Sequence, residues 1–427
     1  MQILLVLAMT LVAGTAQAQI AKATFETATR AEAIATITAT CNACTWDVAG
    51  REAVVVSLAL DGRYVQHLPI VRTGRADYRI MLGQVEPGRH TLVIEEDAEL
   101  TSSELRGHSR AIVETTAFQL ITASARDYAA ISLAPIIYAR PDTVGKYTDG
   151  PVFMWYEIEP SARGTRYRYS VIFTNEDGGT PADRLMATWG RTTDIEYLYS
   201  VELNAKGEIL DDDIQGPGHE ILPFSGRREG RHPLLWVSTS NNMVLPQGTT
   251  RVRYAPAAIA FPLRDVSREA VMDTYPWLYE VMAQELKREG KIAADPPAGR
   301  GTIPDPRRFV FVEGCGTLAE KGLAFALRVG TQWISSDRDR SDFRIVRDGC
   351  FRAAIPLPAH ATIRDVRALR AQVFARAGRN NAAPARLTRI NTAFMLDDHF
   401  VPGTSILHWE GAAELQPGGP PVELAIP

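Results

Sequence analysis

The segment Gly190-Arg-Thr-Thr-Asp-Ile-Glu196 carries two carboxylates two residues apart. On a β-strand successive side chains point to opposite faces, so Asp194 and Glu196 would project side by side, with Ile195, Tyr197 and Tyr199 on the reverse face. Like charges so placed repel, which raises the pKa of one or recruits a cation. An oxygen-rich pair of this kind, with Asp194 and Glu196 as the ligands, suits Ca²⁺ or Mg²⁺. The same pair also suits acid–base work. Loops rich in glycine, charge and amide add Glu176 as a further carboxylate and His219 and His232 as imidazoles for general-base or metal roles. Arg191 can hold an anionic group bidentately, Asn241 brings an amide, and Trp189 offers a ring for sugar stacking. Read this way, Asp194, Glu196, His232 and Glu176 are the candidate catalytic residues. Arg191, Trp189, His219 and Asn241 are the candidate substrate contacts.

Other chemistries are excluded by the residues beside each motif. His219-Glu220 runs into Ile-Leu-Pro, so there is no H-E-x-x-H, and neither a G-x-S-x-G nor a P-loop occurs. The four cysteines are an even set suited to an oxidising compartment, and the preferred pairs are Cys41 with Cys44 and Cys315 with Cys350. A redox-active C-x-x-C belongs at a helix start, whereas Ala35 to Thr40 reads as strand. Thr45 stands where a c-type haem motif needs His.

The elements that must carry these residues read as mostly β. The fold class expected is a multi-domain β-sandwich architecture with one short helical segment near 267–289. Residues 1–18 have an apolar run from Ile3 to Val12 and an Ala16-Gln17-Ala18 ending, as a cleaved signal peptide does; the run is too short to span a bilayer, so no transmembrane span is expected in the mature chain. Residues 19–130 resemble an immunoglobulin-like module, with β-rich runs closed by turns such as Asp61-Gly62 and Pro87-Gly88. Residues 131–263 form a central β-sandwich whose loops bear the candidate site. A helical segment and linker follow at 264–306, with Ser267 as N-cap and Gly290 as terminator. Residues 307–427 form a third β unit, in which 363–374 fits helix spacing as well as strand.

Here the heptapeptide at 190–196 resembles the Gly-His-Arg-His-Asp-Trp-Glu element of the necrosis- and ethylene-inducing peptide-like proteins. It is also similar to the Gly-Asp-Trp-Glu element of the vacuolar protein sorting sixty-two family. Ala134-Pro-Ile-Ile-Tyr138 and His232-Pro-Leu-Leu-Trp-Val237 resemble flanking motifs of that second family, in the same order. The resemblance spans 134–243 and implies a β-sandwich with a divalent-cation site to which Asp194 and Glu196 contribute. The sequence departs from the pattern at Arg191, which stands for a histidine, and at Ile195, which stands for a tryptophan. Asp194-Ile-Glu196 also resembles half of the Glu-x-Asp-x-Glu strand of laminarinase-type glycoside hydrolases, with Thr192 where the first glutamate falls.

With 427 residues, 45% hydrophobic, 22% charged and a net charge of -4, the composition is that of a globular protein; without a basic stripe it gives no reason to expect nucleic acid. The function expected is an exported carbohydrate-active enzyme, periplasmic or extracellular, a hydrolase or lyase acting on extracellular or cell-envelope glycan. The alternative is a non-catalytic glycan- or surface-binding β-sandwich protein.

Overall fold

The computed structural model describes residues 19–106, 111–142, 150–176 and 178–426, so the apolar leader at 1–18 lies outside the described residues. The architecture is mostly β, arranged in three pairs of sheets along the chain. In the first pair, Gln19–Thr27, Gly88–Glu96, Val54–Leu60 and Arg63–Ile70 make one sheet and Gly74–Val85, Ala31–Cys41 and Ala111–Thr122 the other. Alternating side chains such as Val54, Val56 and Leu58 meet Ile37 and Trp46 in a core between them.

The second pair holds the carboxylate strand. A six-stranded sheet runs Ile221–Pro223, Ile209–Gln215, Asp194–Leu203, Thr165–Phe173, Pro151–Pro160 and Ile259–Ala260. One face packs Phe173, Val171, Tyr169 and Tyr199 onto Leu235 and Val237 of the neighbouring sheet. The other face packs Trp155, Ile172 and Ile195 onto the helices Ala270–Thr274 and Trp277–Arg288. Leu278, Met282 and Leu286 recur at helical spacing on the second helix and supply its buried stripe.

The helices are covered from the far side by the third pair. There Gly349–Pro356, Phe309–Thr317, Ala385–Phe394 and Trp409–Leu415 form one sheet, and Phe311 and Phe394 join the helical core. Gln332–Ser335, Gly322–Val329, Val366–Phe374 and Val422–Ala425 form the other. Both disulfides pair as expected: Cys41 with Cys44, and Cys315 with Cys350, which face each other in register on adjacent strands.

Several local expectations need correction. Ser267 does not cap a helix; its hydroxyl donates to Glu313, and Glu269 holds the N-cap position. The helical segment near 267–289 is not alone, because Tyr128–Ser132 and Ala182–Trp189 are also helical. The ambiguous stretch is a strand, Val366–Phe374, begun by a short 3-10 turn at Ile363–Asp365. Tyr199 does not share a face with Ile195: Tyr197 pairs with Ser170 and Tyr199 with Tyr169, so Leu198 is an extra residue that shifts the pleat.

Candidate functional site

Asp194 opens its strand opposite Phe173 and Glu196 lies opposite Val171, so before the bulge the two carboxyls share a face. Both line a pocket of about 530 Å³. Four polar loops around the sheet reach it, through Glu176, Arg191, Gln215 with His219, and Asn241, whereas the loop at 226–232 does not.

The helix Ala182–Trp189 forms one wall. Asp183 lies in its first turn, where the exposed backbone N–H groups favour a negative charge, and Gly190 closes it in the left-handed region at φ +66°. A Cβ at Gly190 would lie 2.7 Å from Cγ of Arg352, so both the backbone angle and the close approach require glycine. Gly190→Ala is expected to cost more than about 1 kcal/mol in chemical denaturation; an unchanged midpoint would contradict this close packing.

Arg191 is almost wholly buried and already partnered. Its Nε donates to Glu269 Oε1 at 3.1 Å, its guanidinium donates to the Thr193 carbonyl, and it lies 3.9 Å from Asp194 Oδ1. Asn242 Nδ2 donates to Asp194 Oδ2 at 2.8 Å. Burial raises Asp194 to a pKa of about 7, with Glu176 adding to the rise and Arg191 and Asn242 opposing it. Glu196 is also pushed well above the usual carboxylate range, first by burial and then by the Asp194 charge. Glu269 goes the other way, to about 2, because Arg191, Arg347 and Arg352 together outweigh its burial.

Trp189 lines the pocket, but Arg347 lies over its ring at 3.6 Å and Arg191 at 5.6 Å, so a guanidinium covers one face. Of the other aromatic residues of the central sheets, Trp155, Tyr156 and Tyr199 are core. His219 is exposed at φ +61°, with Nδ1 2.9 Å from Gln215 Nε2 and Nε2 3.4 Å from Asn241 Nδ2. His232 is elsewhere. It is buried with Nδ1 2.8 Å from the Ala134 carbonyl and Nε2 3.0 Å from Glu32 Oε2, joining the first sheet pair to the second. The expectation that it works beside Asp194 and Glu196 is therefore corrected.

Sequence reasoning missed the other half of the pocket. Arg268 enters from the segment before the helices, and Arg344, Arg347 and Arg376 come from the third sheet pair. Arg268 donates to the Ile195 carbonyl at 3.3 Å and Arg347 to that of Thr188 at 2.8 Å. The one available signal was the recurrence of arginine at 338, 340, 344 and 347.

The expected Ca²⁺ or Mg²⁺ meets an unsuitable set of donors. Among the described residues no group of three His, Cys, Asp or Glu stands close enough to hold a metal ion. Asp194 is occupied by Asn242 and Arg191, and fixed guanidinium charges face the space a cation would fill. Millimolar Ca²⁺ or Mg²⁺ is expected to leave the melting temperature unchanged. A rise that Asp194→Asn abolishes would restore the cation site.

No family model and no curated protein matches the chain. Among solved structures, NLPPya in complex with mannosamine is 10% identical, with a TM-score of 0.24 over 31% of this chain and 71% of that one. A GH2 beta-galacturonidase from Eisenbergiella tayi bound to glycerol is 12% identical, with a TM-score of 0.15 over 52% of this chain and 32% of that one. These likenesses are weak and identify no family.

Proposed function

We propose that the chain is an exported carbohydrate-active enzyme, a hydrolase or lyase, whose reaction is carried by Asp194 and Glu196. The observation that carries this reading is the pair of carboxyls with raised pKa values on one open pocket. A carboxyl that titrates near neutrality can hold a proton for a glycosidic oxygen and release it in the transition state. A second carboxyl beside it supplies the complementary base or nucleophile, the division of labour used in glycoside cleavage. Glu176 lies on the same pocket and tunes Asp194 through its charge. The two disulfides support export to an oxidising compartment, and no described helix is long and apolar enough to cross a membrane. The three sheet pairs support a division into units near 19–130, 131–263 and 307–427.

A non-catalytic glycan-binding role is favoured by one observation. Gln215, His219 and Asn241 form a linked polar group on the pocket, suited to hydrogen-bonding sugar hydroxyls. Turnover separates the two readings. On a panel of plant, algal and bacterial-envelope glycans, wild type is expected to cleave at least one. Glu196→Gln should cleave it at least about 100-fold more slowly with no loss of melting temperature. Binding without any cleavage product would decide for the binding role.

A further inference from the structure

The pocket's unusual feature is its excess of positive charge. Arg191 is matched by Glu269, and Arg344 by Asp337 at 2.8 Å. Arg184, Arg268, Arg347 and Arg376 also line the space, and among the described residues none of the four has a carboxylate within ion-pair distance. Among the described residues, Arg268 and Arg347 donate to backbone carbonyls alone, each through one terminal nitrogen.

Such an arrangement is costly without a ligand. Guanidinium groups held close together repel, and neither loses its charge by deprotonating at physiological pH. Arg347 shows the strain electrostatically: burial and the charges of Arg191 and Arg268 lower its pKa to about 9 despite Glu269. Of the four carboxyls on the pocket, Asp194 and Glu196 are shifted toward the neutral form and Asp342 is paired with Arg340, which leaves Glu176 against six arginines. What is missing is an anion.

We infer that this pocket receives the oxyanion of an acidic saccharide, a uronate carboxylate or a sugar sulfate, gripped by the guanidinium groups of Arg268 and Arg347 with Arg184 and Arg376 alongside. The inference rests on the reading of the pocket as a saccharide site and adds the class of sugar. Planar guanidinium forks match such oxyanions with paired, charge-assisted hydrogen bonds. The raised pKa values of Asp194 and Glu196 let the pair hold a proton beside the ligand, which reduces the repulsion that two ionised carboxylates would impose on it and leaves the other carboxyl free to act as base.

Calorimetric titration with three probes tests it: oligogalacturonate, its fully methyl-esterified form, and a sulfated galactan oligomer. At least one anionic probe should bind about 10-fold or more tightly than the methyl ester, with the difference shrinking at high salt. The anionic probe that binds identifies the oxyanion. Arg268→Gln should weaken that binding by about 10-fold. Because Arg347 also packs on Trp189, Arg347→Lys serves as a second variant that keeps the charge but loses the fork. Equal affinity for acid and ester overturns the inference, as does absence of binding to both anionic probes or indifference to both variants. Glu196-dependent cleavage of a neutral glycan with no acid preference would overturn it while leaving the proposed enzyme standing. Tight, arginine-dependent binding of an acidic oligomer that is never cleaved would uphold it and remove the enzyme.

Discussion

Arg352→Met is expected to cost roughly 3–5 kcal/mol, which for a chain of this size lowers the melting temperature by about 5 °C. Arg352 sits fully buried on Gly349–Pro356 and ties that strand to the helices. It donates to Asp273 Oδ1 and Oδ2 at 2.7 and 2.6 Å, to Glu313 Oε2 at 2.8 Å, and to the Tyr279 hydroxyl at 2.8 Å. Removing the guanidinium leaves Glu313 as an uncompensated buried charge, which costs far more than the intact cluster contributes. Arg352→Met combined with Glu313→Gln should therefore recover part of the loss, since the orphaned charge goes too. A single-variant loss below about 1 kcal/mol would show that this cluster does not hold the helices to the third sheet pair.

The second large effect is a pH dependence. Asp194 titrates near 7 in the folded chain against 3.8 ordinarily, so between those values the native state keeps a proton that the unfolded chain has released. Stability from this group is full below about pH 4 and is lost as pH rises through 7. Asp194→Asn cannot ionise and escapes that loss. Measured by urea unfolding from pH 4 to pH 8, the variant should gain on wild type as pH rises, by a total on the order of 4 kcal/mol, and level off above pH 7. Parallel curves, or a wild type that gains on the variant, would refute the buried neutral carboxyl. The opposite sign holds for Glu269, whose pKa of about 2 makes its contribution fade only as pH falls below the ordinary carboxylate range.

The mostly β character and the site's central strand were legible because period-two alternation reports which face is buried. That reading failed at Leu198, where a bulge shifts the pleat without leaving a compositional mark. Ala182–Trp189 went unseen although Ala182, Leu185, Met186 and Trp189 recur at helical spacing, because a two-turn segment between polar, glycine-bearing stretches is too short for that spacing to be told from a loop. The disulfide partners could be named since four cysteines in two sequence-separated pairs leave few choices. His232 and Arg347 lay beyond the reach of local pattern. Each is decided by which distant segment docks beside it, Glu32 for the histidine and the Ala182–Trp189 helix for the arginine.

That docking has a consequence in time. The carboxylates are complete once residue 196 has been made, yet the arginines at 344, 347 and 376 arrive only with the last fifth of the chain. Arg347 precedes Cys350 by three residues, and Cys350 is locked to Cys315 on the adjoining strand. A chain still being synthesised has the acids but not the wall that faces them. Assembly of the pocket thus coincides with completion of the chain and the pairing of Cys315 with Cys350, and a chain truncated before residue 340 would lack the arginines at 344, 347 and 376 altogether.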